Sequence, residues 1–455
     1  MVLNDKIHSD IRFVREKVLS EIDIDKIEEM IDDRERLLKE TYGLIQKIAT
    51  QNKRYFSKYE IDMMSEIIAD EIIGTGPLRV LVEDEDVSDI LVNGPNDIYV
   101  EKNGKLEKTK LAFIDNDQLT DIAKRMVAKM GRRIDDAQPM VDARLPDGSR
   151  LNVIIAPIAL DGTSISIRKF NKSSRTLLEL ASFGSMSQEV ASLLMLATRT
   201  RCNIVVSGGT GSGKTTLLNA LSHHIGDDER IVTLEDAAEL KLGQPHIVRL
   251  ETRMAGVENS GQVTMRMLVI NALRMRPDRI IVGECRGGEA FEMLQAMNTG
   301  HDGSMTTLHA NSPFDAISRL ENLVMMAGFN LPLEAIRHNI ASAVNIIVQI
   351  ARLNDGSRKV IKISEILGIE NGEIKLFDIF EFIPDMKRNE AGKIQGSYAF
   401  YGLPKDSILE KNAIMFDKYA FLADIIQEAQ AKNQPTQSAK SHKSDKTNKQ
   451  ELSNG

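Results

Sequence analysis

Gly208-Gly209-Thr210-Gly211-Ser212-Gly213-Lys214-Thr215-Thr216 decides the fold of this chain. Its first eight residues satisfy G-x-x-x-x-G-K-[ST], with the apolar run Ile204-Val205-Val206 before it and a helical stretch, Leu217 to His223, after it. Glycines let consecutive backbone N–H groups converge at a helix N-terminus, where the dipole already favours negative charge. Motif and context together imply a loop that holds the phosphates of ATP. Gly208 to Thr216 supply the cradle, Lys214 reaches the β/γ oxygens, and Thr215 ligates Mg2+.

Working outward, Asn203 to Ser207, Ile231 to Leu234 and Arg279 to Val282 read as buried strands alternating with helices. That alternation predicts an α/β domain with a mostly parallel sheet covered on both faces. Ligands meet such sheets at the carboxyl ends of the strands. Arg279-Ile280-Ile281-Val282 ends at Gly283-Glu284, and most P-loop proteins place an Asp where Gly283 stands, so Glu284 must serve the metal or the attacking water. A surface carboxylate capping the next turn is the plainer alternative. Ile231 to Leu234 ends in Glu235-Asp236, where Glu235 can polarise water and Asp236 can cap. His301 and His309 flank Gly303 to Leu308; by themselves they fit satisfied structural histidines as well as a chemical role, and a metal pair would need a third ligand.

A length of 455 residues exceeds one ordinary core. Residues 1–73 are charged with apolar residues at helical spacing, such as Ile24, Ile27 and Ile31, then Ile61, Met64 and Ile68, and form a helical N-terminal segment. Gly74-Thr75-Gly76-Pro77 breaks that pattern. Residues 74–175 carry short β-type runs (Ile90-Leu91-Val92, Ile98-Tyr99-Val100, Leu151 to Ile155), with turn formers at Asn103-Gly104 and Pro146-Asp147-Gly148. A helix from about Asp117 to Lys129 separates the two hairpins, giving an α+β domain. The ATPase domain spans 176–432 and closes on a helix carrying Phe416, Tyr419, Leu422 and Ile426. Residues 433–455, rich in Lys, Ser, Gln and Asn, have no apolar stripe and predict a disordered tail.

Composition excludes several classes. Hydrophobic content of 42% with 27% charged residues is that of a globular protein, and the longest apolar candidate, Ile340 to Ile350, is too short for a membrane span. The N-terminus lacks a signal pattern, which predicts a cytoplasmic protein. Cys202 and Cys285, the only cysteines, lie in apolar runs and predict buried thiols rather than a disulfide or zinc site. A net charge of −8 argues against nucleic acid as the default partner.

Four blocks in order resemble the secretion ATPases: Gly208 to Thr216, Thr233-Leu234-Glu235-Asp236, Val282-Gly283-Glu284-Cys285-Arg286, and Thr299-Gly300-His301-Asp302-Gly303 through His309-Ala310-Asn311. They match the Walker A, acidic, Walker B and His boxes, and this superfamily's Walker B box carries Gly-Glu. Ser88 to Pro95, Tyr99-Val100-Glu101, Asn103 to Leu106 and Asn271 to Arg279 resemble the CpaF-type branch, which powers Flp (tight adherence) pilus assembly. The type II branch's tetracysteine element is absent, and Arg253-Met254-Ala255-Gly256-Val257 is less proline-rich than the usual CpaF-type loop.

The resemblance implies a RecA-like ATPase domain behind a PAS-like α+β domain, in a homo-hexamer with ATP between subunits. It further implies peripheral attachment to inner-membrane platform proteins. Arg150 and Arg168 match the arginines that reach the γ-phosphate; the residues alone would read as solvated strand positions. His309, and with it His301, would sense that phosphate, while Glu284 and Glu235 position metal and water. A type IV or type II traffic ATPase is the alternative, and a nucleic-acid motor or a scaffold without turnover are rivals from other classes.

Overall fold

A computed structural model describes residues 5–22, 33–102, 104–169, 175–253, 261–390 and 392–433. The expected helical positions Ile24, Ile27 and Ile31, most of the 171–175 linker, residues 254–257 and the tail beyond Asn433 lie outside the described residues. The chain divides into two units, Met1–Lys172 and Ser173–Gly455.

In the first unit, helices α1 (Asp5–Glu21), α2 (Arg34–Gln51) and α3 (Lys58–Ile73) bury Ile11, Leu37, Ile45, Met64 and Ile68. Local sequence sets the ends of α3. Ser57 and Glu60 exchange hydrogen bonds in a capping box, and Gly74 ends the helix at φ +102°. After a short helix, α4 (Arg79–Glu83), come strands β1 (Val87–Asn93), β2 (Ile98–Lys102) and β3 (Lys105–Lys108), helix α5 (Asn116–Lys129), and β4 (Met140–Arg144), β5 (Arg150–Ile154) and β6 (Ser164–Arg168). They make an antiparallel sheet in the order β3-β2-β1-β6-β5-β4. Both expected hairpins form: β2–β3 turns at Gly104, φ +76°, and β4–β5 turns through Gly148, φ +90°, with Leu145 N–H donating to Ser149 O at 2.9 Å. The expected helix begins one residue earlier and packs Leu119, Ile122 and Val127 into the sheet's core.

Helices α1 and α3 join α5, the helix packed on this sheet, through buried charge. Glu71, fully enclosed, accepts from Arg15 Nε and Nη2 (2.8–3.0 Å), Gln118 Nε2 (2.7 Å) and Arg125 Nη2 (2.8 Å). Burial alone would push its carboxyl upward, but these donors outweigh it and hold it below the usual range.

The second unit begins with α6 (Leu177–Ser182) and α7 (Gln188–Arg199) and is built on a nine-stranded sheet. Strands β7 (Ile204–Gly208), β8 (Ile231–Glu235), β9 (Ile247–Glu251), β10 (Arg279–Val282), β11 (Met305–Leu308) and β12 (Ile346–Arg352) run parallel in the order β12-β7-β11-β10-β8-β9. Connecting helices are α8 (Lys214–Ser222), α9 (Met265–Ala272), α10 (Glu289–Asn298), α11 (Pro313–Met325) and α12 (Leu333–Ala343). Successive strand residues feed two separate cores, Ile204, Val206 and Ile281 on one face and Val205, Val232 and Val282 on the other, as a sheet covered on both sides requires.

Beyond β12 the sheet turns antiparallel. Strands β13 (Arg358–Glu370), β14 (Glu373–Arg388) and β15 (Ile394–Phe400) extend it by hairpins, where the sequence reading had only a continuation of the α/β pattern. Helices α13 (Ile408–Met415) and α14 (Tyr419–Asn433) close the unit; of the apolar face expected for the final helix, Leu422 is buried, Ile426 half-buried and Tyr419 exposed, while Phe416 ends the helix before it. Ile340 to Ile350 is core, as expected, but is split between α12 and β12. Among the described residues no helix is long and apolar enough to cross a membrane.

Candidate active site

Parallel register brings the chemistry to one edge of the second unit's sheet. Ser207 lies opposite Leu308, Thr306 opposite Val282, and Val282 opposite Leu234, so Gly208, His309, Gly283-Glu284 and Glu235 follow one another at neighbouring strand ends.

The loop after β7 needs its glycines. A Cβ on Gly208 would stand 2.3 Å from the Ile350 carbonyl oxygen and 2.6 Å from Ser212 Oγ; Gly211 and Gly213 adopt φ +67° and +98°. Gly213 is the N-cap of α8, which starts at Lys214. Lys214 is buried; its Nζ donates to the Gly208 and Gly209 carbonyls, 3.0 Å each, and lies 3.4–3.5 Å from the ring nitrogens of His309. Burial lowers its pKa, with Glu284 opposing. Thr210 and Thr216 are exposed and Thr215 is half-buried at the first turn of the helix.

Glu284 leaves the end of β10 toward the same point. Its Oε1 is 2.9 Å from His309 Nε2, and its Oε2 accepts from Arg286 Nη2 at 2.7 Å. Burial, reinforced by Lys214, lowers the His309 pKa. Arg286 also reaches toward Asp236, 3.6 Å away, and Asp236 accepts from Thr252 Oγ1 at 3.2 Å. Among the described residues no helix directly follows β8 for Asp236 to cap; in the loop there, Glu235 Oε2 accepts from the N–H groups of Glu239 (2.6 Å) and Leu240 (2.9 Å). Burial raises the Glu235 pKa. Glycine at position 283 has a local cause, since a Cβ there would press on Glu235 Cγ at 3.2 Å.

The residues fit a divalent cation. Glu235 Oε1 is a buried carboxylate oxygen without a hydrogen-bond donor, and Glu284 Oε1, also buried, faces only the His309 ring. Among the described residues no three His, Cys, Asp or Glu side chains form a metal cluster, so a cation held here would complete its shell from phosphate and water.

His301 is not brought to this point. It precedes β11 whereas His309 follows it, and its Nδ1 lies 3.3 Å from Ala296 O at the far end of the strand. Arg150 and Arg168 belong to the first unit, directly opposite each other on β5 and β6; Arg168 Nε donates to Asp89 Oδ1 at 3.0 Å. Arg286, two positions after Glu284 in the Val282 to Arg286 block, joins this cluster although its sequence position alone assigns it no role. Both cysteines are free and buried, their thiols pushed up to about 12 by burial.

A phosphate loop, an α/β sheet and carboxylates at the neighbouring strand ends define a P-loop nucleotide-binding protein. More narrowly, the family model described as "Type II/IV secretion system protein" matches residues 71–381, and the chain belongs to that family of secretion ATPases. It is 39% identical over 304 residues to a putative conjugal transfer protein of Mycobacterium tuberculosis, covering 66% of this chain and 86% of the relative. The type IV secretion system protein VirB11 of Bartonella quintana is 31% identical over 337 residues, covering 66% and 94%. The crystal structure of the VirB11 ATPase from Brucella suis, in complex with sulphate, matches at 30% identity over 64% of this chain and 96% of that one, with a TM-score of 0.35.

Proposed function

We propose that the chain hydrolyses ATP to drive a secretion machine, working as a hexamer on platform proteins at the cytoplasmic face of the inner membrane. The observation that carries this reading is the convergence of Lys214, Glu284 and His309 at one end of the parallel sheet, beside a phosphate loop in which Gly208 has no room for a Cβ and Gly211 and Gly213 adopt positive φ. Lys214 holds the β/γ oxygens, Thr215 and Glu284 hold Mg2+, and Glu284 with Glu235 orients the attacking water. Mg2+, when bound, offsets charge on the transferring phosphate. His309 sits against both Lys214 and Glu284 and so reads the γ-phosphate position; Arg150 and Arg168 complete the site of a neighbouring subunit. The sheet unit is RecA-like, the first unit's sheet is PAS-like, and rigid-body movement between them is the output.

The conjugal and type IV relatives favour a traffic ATPase of that kind of machine. Assembly of an Flp-type pilus is the second reading, favoured by the blocks Ser88 to Pro95 and Asn271 to Arg279. The chemistry is tested by Glu284→Gln, which should bind ATP with parental affinity yet release no phosphate in a continuous assay. Parental turnover would remove Glu284 from the mechanism.

A further inference from the structure

The hairpin joining β12 to β13 abuts the phosphate loop, and neither the motifs nor the mechanism above uses it. Strand β12 pairs with β7 as far as Ile350 opposite Gly208, then turns back so that Arg358 stands directly across from Arg352. Arg358 Nε donates to the Gly211 carbonyl at 3.0 Å. Its Cδ lies 3.3 Å from where a Cβ of Gly213 would be, and Arg352 Nη1 lies 3.5 Å from the corresponding point on Gly211. The two arginines thus wall the two left-handed glycines of the loop.

In a trans peptide the carbonyl and the following N–H point in opposite directions. Drawing Gly211 O toward Arg358 therefore turns the Ser212 N–H away from the hairpin. That N–H indeed points at Gly209 O, 3.4 Å away, the same carbonyl that receives Lys214 Nζ.

The hairpin is itself held in shape. Leu353 N–H donates to Ser357 O at 2.8 Å, and the Asp355 carboxylate accepts from Ser357 N (2.8 Å), Ser357 Oγ (2.6 Å) and Ile394 N (2.6 Å). Arg388 Nη2 donates to Asn354 Oδ1 at 2.8 Å, tying the turn to the tip of β14–β15.

We propose that Arg358 is a positioning residue for the nucleotide: through the Gly211 carbonyl it fixes the Gly211–Ser212 peptide in the loop conformation whose amide closes on Gly209 O, and so holds the shape of the phosphate cradle, with Arg352 as the second cation of the same wall. The inference rests on the ATP reading of the loop. Because the loop's backbone cradles the α/β-phosphates, ATP and ADP must lose affinity together when the wall is removed.

Equilibrium binding of fluorescent ATP and ADP to the full chain tests this. Arg358→Met keeps the stem against Gly213 and removes the guanidinium. Both nucleotides should bind about three- to tenfold more weakly, as loss of one hydrogen bond allows, with KM raised, kcat at saturating ATP retained and the melting midpoint parental. Parental binding, or weakening of ATP alone, would overturn the proposal. Should Arg358→Met fail to fold, Arg358→Lys preserves charge and stem without the planar donor and is read by the same two criteria. Lys214→Ala runs alongside: if the parent binds no nucleotide, the ATP reading itself falls, whereas a binding parent and a non-binding Lys214→Ala beside a parental Arg358 variant sink the hairpin inference alone.

Discussion

Gly283→Ala is the substitution that bears most directly on why this strand end reads Gly-Glu. The added Cβ would stand 3.2 Å from Glu235 Cγ, 3.6 Å from Leu234 O and 3.7 Å from Glu235 Cβ. Only the first is a collision, and it is one of a few tenths of an ångström. Glu235 cannot give way cheaply, because it is buried and its Oε2 is held by the N–H groups of Glu239 and Leu240. Nor can Gly283, whose N–H donates to Leu234 O at 2.8 Å and whose carbonyl accepts from Thr307 Oγ1 at 2.7 Å. Forcing such a contact costs about 1–2 kcal/mol, by analogy with overpacked cores. That corresponds to a fall in Tm of roughly 2–8 °C, and turnover should fall by about tenfold or more as the adjoining Glu284 is displaced. The assay pairs thermal unfolding with phosphate release in the single variants and in Gly283→Ala combined with Glu235→Ala. In the double variant the opposing Cγ is gone, so Gly283→Ala should add almost nothing to the stability lost by Glu235→Ala alone. An equal loss of Tm in both backgrounds, or no loss in either, would refute the contact as the reason for glycine.

Glu71→Ala leaves Arg15 buried without its main partner and should destabilise the first unit by about 3–5 kcal/mol, measured by denaturant unfolding. Because the folded Glu71 carboxyl sits below its unfolded value, its contribution is present above the unfolded pKa of about 4.3 and is lost as pH falls through the folded one; a parent stability that rises on acidification below pH 4 would contradict this. Mixing Arg168→Ala subunits with Lys214→Ala subunits, each nearly inactive, should restore phosphate release if the arginine acts between chains. Arginines acting in trans are worth roughly 10³–10⁵ in rate, so recovery is easy to detect, and an Arg168→Ala protein with parental turnover would return that residue to a solvated strand position.

What could be read from the sequence was local. The phosphate loop and the turns at Gly104 and Gly148 each depend on residues a few positions apart, and all took the expected form. Strand β10 was legible because three apolar positions, Ile280 to Val282, run straight into Gly283. The antiparallel extension was not. In β13, Lys359, Lys362 and Ser364 interrupt the apolar run, so its pairing is defined by strands on either side rather than by its own pattern. His301 and His309 show the same limit from the other direction: one box in sequence, but a strand of four residues intervenes and carries them to opposite ends of β11. Glu71 escaped notice because a buried carboxylate inside a charged helix looks like any solvated one until Arg15 and Arg125 are folded onto it.

The same register that joins distant residues also makes the site behave as one body. Thr307 is the hinge pin of that arrangement: its hydroxyl donates to Gly283 O at 2.7 Å and its carbonyl accepts from Cys285 N–H at 2.9 Å, so it brackets Glu284 from both sides. Two residues further along, His309 lies between Glu284 Oε1 and Lys214 Nζ. Strand β10, which carries Glu284 at its end, pairs with β11, which carries His309, and β11 is paired along its length with β7, whose end is the phosphate loop. A change at the loop is therefore felt at Glu284 through packed, hydrogen-bonded strand ends rather than through flexible side chains. Packed interiors of this kind move between discrete arrangements instead of yielding gradually. That property suits the proposed coupling of nucleotide binding at Lys214 to the carboxylate at Glu284.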